Sequence, residues 1–445
     1  MSASDTIAIV LAAGLGTRMG TDSPKVSHTL AGRAMLAHVL DAVKGASISK
    51  TAVVVGPNMQ QVRDITKKCI SDAEFFVQKE RLGTGHAVKA AKRSLSGSNG
   101  TVMILYGDTP LLKQRTLKRL IKTREHKSNP ALVVLGFETD APGDYGRLIK
   151  GRDGKLEKIV EAREANNDEL AVTLCNSGVY AVDARFLSNA LDKIKNNNSK
   201  KEYYLTDIVE LAIKSGRNCS VVVGDEAELL GVNTRHDLAL AEAVVQHDLR
   251  VKAMTSGCTL IDPASVYFSW DTKLGRDIVI EPNVFFGPGV SVADSVIIKA
   301  FSHIEGAKVS EGATIGPFAR LRPGTKVGAE ARVGNFVEVK NSNIAMGAKI
   351  SHLSYIGDAR IGKDTNIGAG TITCNFDGKN KYRTNIGKEV FVGSNTALIA
   401  PLNIGHKVTI GAGSVITQNI KTKSLAITRV KQREIKNWTA KNKKG

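Results

Sequence analysis

Glycines and cations follow the first apolar segment of the chain. The stretch Leu11–Gly14 leads into Gly16, Arg18 and Lys25. Glycines directly after a strand let the backbone approach a ligand and direct its N–H groups at phosphate oxygens. Arg18 and Lys25 are placed to offset negative charge there. Met19 stands where the dinucleotide fingerprint needs a third glycine, and no Gly-Lys-Ser/Thr follows. The loop therefore predicts a triphosphate site of another kind, with a simple tight turn as the alternative.

A carboxylate, Asp108, ends the apolar run Val102–Tyr106. Open α/β sheets bind ligands at the carboxyl ends of their strands, so this position suits a functional acid. Because Thr109 and Pro110 follow, a helix N-cap is the competing interpretation.

Aliphatic residues recur at every sixth position in the second half of the chain. The clearest run is Ile386, Val392, Leu398, Ile404, Ile410 and Ile416. Neither a helix nor a single strand has this period, whereas each six-residue side of a triangular β-helix turns one aliphatic chain inward. The period slips by one residue near Ser302, Ile344 and Ile361, and a polar loop, Thr373–Asn385, interrupts it. The pattern predicts a left-handed parallel β-helix of hexapeptide repeats.

Two cations and a histidine have spacings that matter in such a coil. Arg322 and Lys340 are 18 residues apart, which is one turn of three six-residue sides, so both can lie on one face. His352 follows Lys340 by 12 residues and, allowing for a slip, should lie nearby. A cationic pocket beside a histidine suits a phosphorylated amine.

The first half alternates apolar runs with helical stretches, which is typical of a mostly parallel α/β sheet with a Rossmann-like fold. The predicted strands are Thr6–Leu11, Thr51–Val55, Val102–Tyr106 and Leu132–Phe137. A helix is predicted from Thr234 to about Met254. The expected organisation is an α/β domain over 1–230, a linking helix over 231–255, the β-helix over 256–425 and a basic tail over 426–445.

The composition indicates a folded protein with a basic surface. The 445 residues suit two domains and carry a net charge of +19. Such charge can attract anionic substrates, nucleic acid or membranes, but a solvated tail is the simpler interpretation of the basic end. No apolar run of about eighteen residues and no signal peptide are apparent. Five scattered cysteines favour reduced thiols, so a cytoplasmic protein without membrane insertion is expected.

The chain resembles sugar-nucleotide pyrophosphorylases in its first half. Beyond the glycine loop, the resemblance rests on Gln78, Leu82–His86, Tyr106–Asp108, Tyr145–Arg147, Ile159–Glu161, Asn176–Gly178 and Gly231–Asn233. In the second half it rests on Gly316–Gly324, Gly334–Lys340, Ser351–Asp358 and Asn366–Thr371. Together these blocks are most similar to the bacterial bifunctional family that acetylates glucosamine-1-phosphate and uridylylates N-acetylglucosamine-1-phosphate.

For the first half, the resemblance implies a uridylyltransferase in which Arg18 and Lys25 serve catalysis. Asp108 and Asn233 would hold Mg²⁺ through oxygen atoms, which a hard cation prefers. The implied UTP and UDP-N-acetylglucosamine contacts are Leu11, Ala12, Ala13, Gly14, Lys25, Gln78, Gly83, Thr84, Tyr106, Gly107, Asp108, Gly146, Glu161, Asn176 and Asn233.

For the second half, the resemblance implies an acetyltransferase with His352 as general base. An imidazole titrates close to neutral pH, which suits this task. Arg322 and Lys340 would hold the phosphate of glucosamine-1-phosphate, and Tyr355 and Asn366 its sugar. The implied acetyl-CoA contacts are Ala369, Asn375, Phe376, Ser394, Ala412 and Arg429.

Two departures from the family pattern are visible. Phe376 stands where the family has tyrosine, and the stretch from Asp262 to Ile315 looks about one coil short.

The resemblance further implies a homotrimer acting in cell-wall precursor synthesis, without a nucleic-acid partner. Two other hypotheses remain at this point. One is a nucleotidyltransferase whose β-helix only trimerises or regulates, and the other is a scaffold whose basic tail binds nucleic acid or membrane. The first would not need Arg322, Lys340, His352 and the Thr373–Asn385 loop together, and the second would not need Asp108 and Asn233.

Overall fold

The computed structural model describes residues 5–436 and Trp438. It forms two compact units, residues 1–245 and residues 246–445, which are taken in turn. The last part of the predicted basic tail, residues 437 and 439–445, lies outside the described residues.

The first unit is built on one mixed sheet. Its strands, together with a small β2–β3 pair, are β1 (Ile7–Leu11), β2 (Thr29–Leu30), β3 (Arg33–Ala34), β4 (Lys50–Val55), β5 (Glu74–Val77), β6 (Thr101–Tyr106), β7 (Leu132–Glu138), β8 (Arg147–Lys150), β9 (Leu156–Val160), β10 (Leu174–Asp183) and β11 (Cys219–Val223).

Helices accompany these strands along the chain. They are α1 (Met35–Gly45), α2 (Gln60–Cys69), α3 (Thr84–Ala90), α4 (Gln114–Arg124), α5 (Asn167–Leu170), α6 (Ala184–Ala190), α7 (Ile208–Lys214) and α8 (Arg235–Thr255). Short 3₁₀ turns lie at Thr17–Met19, Lys25–Ser27, Lys92–Leu95, Leu205–Asp207, Glu226–Leu229 and, in the second unit, Pro263–Ser265.

The strand order is β11-β7-β10-β6-β1-β4-β5, with the β8–β9 hairpin attached to β10. All neighbours along this order are parallel except β10, which runs antiparallel to both β6 and β7. The four predicted strands are confirmed to within one residue at each end. Their interiors are fully buried because helices pack on both faces, as continuous apolar runs require.

The predicted helix after residue 234 is α8, which spans the division between the two units. A reciprocal cap starts it. The backbone N–H of Asp237 donates to Thr234 Oγ1 at 3.1 Å, and the N–H groups of Asn233 and Thr234 each donate to Asp237 Oδ2 at 2.9 Å. These bonds satisfy donors that a helix end leaves unpaired.

The second unit is the predicted β-helix, with three parallel sheets as its sides. The first side contains β12 (Cys258–Leu260), β14 (Ile278–Ile280), β17 (Ile297–Ile298), β20 (Thr314–Ile315), β23 (Arg332–Asn335), β26 (Lys349–His352), β29 (Asn366–Ile367), β32 (Phe391–Val392), β35 (Thr409–Ile410) and β37 (Leu425–Ala426).

The second side contains β13 (Lys273–Leu274), β16 (Ser291–Val292), β19 (Lys308–Val309), β22 (Lys326–Val327), β25 (Asn343–Ile344), β28 (Ala359–Ile361), β31 (Thr384–Ile386) and β34 (Leu402–Ile404). The third side contains β15 (Phe285–Phe286), β18 (His303–Ile304), β21 (Arg320–Leu321), β24 (Glu338–Lys340), β27 (Tyr355–Gly357), β30 (Ile372–Cys374), β33 (Ala397–Ile399) and β36 (Val415–Ile416).

The aliphatic residues at every sixth position form one continuous core inside the coil, including Val339, Ile350 and Leu398. Steps of 18 residues, as in Arg320 to Glu338, are about as common as steps of 17. The step is 17 where the period slips, as in Arg332 to Lys349. It is 25 across the polar loop, seven residues more than an ordinary coil. The repeat pattern therefore predicts the register of this unit.

The domain bounds expected from the sequence remain predictions, and β37 straddles the expected start of the tail. All five cysteines are free thiols. Across the described residues, no helix combines the length and apolarity needed to span a bilayer.

Candidate active sites

The glycine loop after β1 brings a lysine against the backbone. Gly16 has φ +73°, and a Cβ there would lie 2.6 Å from Lys25 Cβ. Only glycine therefore allows Lys25 to approach this closely. Arg81 fixes the loop from the other side, since its Nε donates to the carbonyl oxygen of Ala13 at 3.0 Å.

Four predicted residues meet at one point of the first unit. Lys25 Nζ forms an ion pair with the carboxylate of Asp108 and donates to Asn233 Oδ1 at 2.9 Å. Arg18 Nη2 donates to the same oxygen at 3.3 Å. The N–H of Val232 donates to the carbonyl of Asp108 at 2.9 Å, which ties the two oxygen-bearing segments together.

The N-cap interpretation of Asp108 is wrong. Helix α4 begins at Gln114 after Lys113, so several residues separate Asp108 from it. The carboxylate instead faces the ammonium group of Lys25.

Two adjoining cavities share this point. The smaller, of about 270 Å³, is lined by Leu11, Ala13, Gly14, Lys25, Val26, Gln78, Arg81, Gly83, Thr84, Ala87, Tyr106, Asp108 and Glu202. The larger, of about 710 Å³, holds Arg18, Asn233, Gly146, Glu161 and Asn176 among its lining residues, and Thr84, Tyr106, Asp108 and Glu202 border both. A two-part ligand can thus extend from one cavity into the other past Asp108.

Most predicted nucleotide-site residues line one of the two cavities. The exceptions are Ala12 and Gly107, which lie behind the lining. Ala12 donates its N–H to the carbonyl of Val54 at 2.8 Å, and Gly107 donates to the carbonyl of Leu11 at 2.9 Å. They hold the strand ends in place.

The larger cavity has a polar wall with a perturbed acid. Burial raises the pKa of Glu161 above its ordinary value, against the opposing effect of the Thr206 hydroxyl at 3.3 Å. Asn176 Nδ2 donates to the Tyr180 hydroxyl at 2.8 Å. Gly178 has φ +79°, and a Cβ there would lie 2.5 Å from the Tyr106 ring. The wall therefore presents amide and carboxyl groups suited to sugar hydroxyls.

Sequence reasoning missed Lys200, Glu202 and Tyr204, which also line the larger cavity. They arrive there because the N–H of Tyr203 donates to the carbonyl of Leu82, and the N–H of Gly85 donates to the carbonyl of Tyr203, both at 2.8 Å. These contacts join segments far apart in the chain, so no local pattern could have revealed them.

In the second unit, one corner of the coil carries the predicted base and three predicted acetyl-CoA residues. The strand registers place Asn335, His352, Ala369, Ser394 and Ala412 at equivalent positions of successive coils. Arg429 packs against the glycines on either side of Ala412. We call this row of residues the corner column.

A cationic cluster lies on the adjoining third side. Arg322 is level with Lys340 and donates to Glu338 Oε1 at 2.8 Å. The pKa of Lys340 lies below its ordinary value, chiefly because the Lys381 ammonium is within hydrogen-bonding reach and further because of Arg322. Lys381 belongs to the polar loop and was not singled out from the sequence, since its position depends on how that loop folds back.

The remaining predicted residues surround this cluster or the corner column. Tyr355 is the coil neighbour of Glu338, and its hydroxyl lies over Gly357, whose missing side chain leaves the space. Asn366 pairs with Lys349 on the first side. Asn375 is buried and donates to Asp358, whereas Phe376 is 58% exposed beside Lys381.

Known protein families match both units. Residues 8–150 match the MobA-like NTP transferase domain, and residues 383–418 match the hexapeptide repeat of succinyl-transferase. Fold and sites thus define a nucleotidyltransferase domain followed by a hexapeptide-repeat domain.

Three relatives match nearly the whole chain. Proteins named bifunctional protein GlmU from Paramagnetospirillum magneticum, Zymomonas mobilis and Ruegeria sp. are 53%, 47% and 50% identical to it. The matches cover 98%, 98% and 96% of this chain and 96%, 96% and 94% of the respective relatives. The chain belongs to the GlmU family.

A half-buried acid beside the larger cavity, Asp207, gives a pH-dependent stability. Burial, with Glu210 and Glu161 adding to the effect, raises the pKa of Asp207 to about 6. An aspartate in an unfolded chain titrates near ~3.9. Between these values the folded state holds the proton more tightly, so this group destabilises the fold as pH rises from about 4 to 6. Asp207→Asn should therefore raise the unfolding midpoint at pH 8 and leave it nearly unchanged at pH 4.

The measurement is a series of thermal or urea unfolding curves from pH 4 to 8. The exposed acid Asp72 provides the matched control variant, Asp72→Asn. A stabilisation by Asp207→Asn that is independent of pH would contradict the assignment.

Proposed function

We propose that this chain makes UDP-N-acetylglucosamine in two steps, an acetyl transfer in the second unit and a uridylyl transfer in the first. The proposal rests mainly on one observation: each unit brings together a set of side chains suited to one of the two reactions. Arg18, Lys25, Asp108 and Asn233 meet between two cavities, and His352 lies on the corner column.

In the acetyl transfer, the amine nitrogen of glucosamine-1-phosphate attacks the thioester carbon of acetyl-CoA. His352 takes a proton from that nitrogen as the C–N bond forms. The C–S bond then breaks, and the proton passes to the CoA sulfur. The products are N-acetylglucosamine-1-phosphate and free CoA.

The corner column supplies a path for acetyl-CoA. Neighbouring coils are about 4.8 Å apart, so Ala412 lies roughly 14 Å from His352 along the axis. The pantetheine arm would run past Ala369 and Ser394, and Arg429 beyond Ala412 is placed to meet the anionic nucleotide end. Asn375 and Phe376 on the polar loop would border the same groove.

The cationic cluster is suited to the sugar phosphate. Arg322, Lys340 and Lys381 hold three positive charges close together, which lowers the pKa of Lys340. A phosphate between them would relieve this repulsion through charge-assisted hydrogen bonds. Tyr355 and Asn366 would then contact the sugar.

In the uridylyl transfer, a phosphate oxygen of N-acetylglucosamine-1-phosphate attacks the α-phosphorus of UTP, and the bond to pyrophosphate breaks. The smaller cavity would take the uridine against Gln78 and Gly83. The larger would take the amino sugar against Glu161 and Asn176. Phosphoryl transfer needs in-line positioning and charge offset more than covalent help, so the reacting phosphates belong beside Arg18 and Lys25.

The oxygen atoms near Lys25 fit a divalent cation. A single ammonium group, Lys25 Nζ, contacts both Asp108 and Asn233, and this supports a cation position between their oxygens. Among the described residues, no group of three or more His, Cys, Asp or Glu side chains forms a metal site. Mg²⁺ commonly binds one or two protein oxygens together with substrate phosphates and water. Asp108 and Asn233 would hold it, and it would offset charge on the phosphates.

A homotrimer is the assembly we propose. Phe301, Phe318 and Phe336 stack along one corner with ring centroids 4.9 and 5.2 Å apart, and Leu353 extends the row on the next coil. Each of the four is 45–60% exposed. Contiguous exposed apolar surface of this kind is typical of protein interfaces, and the row flanks the corner column.

The two activities should be separable by single substitutions. His352→Ala should lower acetyl transfer by about 100-fold or more because general bases contribute that much, with uridylyl transfer unchanged. Asp108→Ala should do the reverse, by about 100-fold or more, because it removes a metal and charge partner. Free CoA release and pyrophosphate release measure the two reactions on one sample.

His406→Ala is the matched control, since His406 also lies exposed at a coil corner and accepts a backbone hydrogen bond. It should leave both reactions intact. Pyrophosphate release without CoA release in the unaltered protein would reduce the β-helix to a scaffold.

The loop lysine should matter for substrate affinity. Lys381→Met removes one of three clustered charges, so the KM for glucosamine-1-phosphate should rise about tenfold, which corresponds to one charge-assisted hydrogen bond. Steady-state kinetics measure it. The control is Lys379→Met, because Lys379 is an exposed lysine in the same loop. This variant should change KM little. Equal KM values for both variants would exclude Lys381 from the phosphate site.

Placing charges in the row of exposed phenylalanines should dissociate the proposed trimer. Phe318→Asp combined with Phe336→Asp should convert a trimer of the 47.6 kDa chain into monomers, since buried unpaired carboxylates are costly. Light scattering after size exclusion gives the mass. Acetyl transfer should fall with dissociation if neighbours complete the groove, while uridylyl transfer persists. An unaltered chain that is monomeric and fully active would refute the trimer.

A further inference from the structure

A side chain on the preceding coil holds the ring of His352. Asn335 ends β23 and is the register partner of His352 at the end of β26. The His352 Nδ1 and Asn335 Oδ1 atoms are 2.6 Å apart. The backbone reinforces the pairing, because the N–H of Leu353 donates to the carbonyl of Asn335 at 3.0 Å.

This contact selects one form of the imidazole. An amide oxygen only accepts hydrogen bonds, so Nδ1 must carry the proton and donate it. In a neutral ring the other nitrogen, Nε2, then keeps its lone pair. The ring is thereby held in the form that can accept a proton at Nε2.

The neighbouring charged groups do not perform this task. Glu338, on the same coil as Asn335, is engaged by Arg322 at 2.8 Å and by Arg320 at 3.7 Å. A carboxylate at Nδ1 would favour the protonated imidazolium. A neutral amide fixes the ring without adding a negative charge beside it.

We propose that Asn335 is a positioning residue for acetyl transfer, which holds His352 with its proton on Nδ1 and Nε2 free for the amine. This inference rests on the proposed role of His352 as general base. Asn335 acts through the imidazole and needs no contact with either substrate.

The test compares two substitutions with a matched control in the full-length protein. Asn335→Ala removes the acceptor and should lower kcat for acetyl transfer at least about tenfold, the usual effect of losing a group that orients a functional histidine. KM for both substrates should stay within about twofold, and uridylyl transfer should not change. Asn403→Ala removes a comparable bond between coils, from Asn385 Nδ2 to Asn403 Oδ1 at 2.9 Å, and should leave kcat unaltered.

Asn335→Asp separates positioning from simple stability. The carboxylate keeps an acceptor at Nδ1 and should restore most of the kcat that alanine loses. It also stabilises the imidazolium, so the acid limb of the kcat–pH profile should move to higher pH. If Asn335 served only stability, Asn335→Asp would not move the acid limb of the kcat–pH profile.

Three results would overturn the inference: a normal kcat in Asn335→Ala, a loss matched by Asn403→Ala, or an unmoved acid limb in Asn335→Asp. Failure of the proposed function would look different. In that case the unaltered protein would release no CoA, or His352→Ala would remain active.

Discussion

Hydrogen bonding between neighbouring parallel strands fixes both candidate sites. In the first unit, β1 and β6 pair so that Leu11 and Tyr106 end level with each other. The glycine loop and Asp108 therefore leave the sheet side by side. In the second unit, each coil pairs with the next, so residues about one coil apart in sequence become direct neighbours. Function in this chain depends on register, because a shift of one residue would turn side chains to the opposite face.

Both sites concentrate charge that an anionic substrate can neutralise. Arg18 and Lys25 converge on one amide oxygen, and Lys381 lowers the pKa of Lys340. Such arrangements cost stability without the ligand and favour its binding. At the second site, the nearby carboxylate of Glu338 is itself paired with Arg322. The same electrostatic principle thus serves two unrelated architectures.

The sequence predicted those parts of the molecule whose signals are local. Continuous apolar runs predicted the central strands of the sheet. The six-residue period predicted the β-helix and the places where its step shortens. The position of Asp108 was identified, but the capping alternative failed because the following helix starts later. Glu202 and Lys381 were missed because each reaches its site through contacts between distant segments. Contacts between segments that are distant in the chain produce no periodic pattern in the sequence.

The slipped coil explains why His352 has an asparagine beside it. With an 18-residue step, the residue one coil before His352 would be Gly334, which has no side chain to accept a hydrogen bond. The step observed here is 17 residues, from Asn335 to His352. Removing one residue from the coil therefore exchanges a glycine for an amide at the Nδ1 side of the ring. The 17-residue step thus supplies the base with its orienting partner.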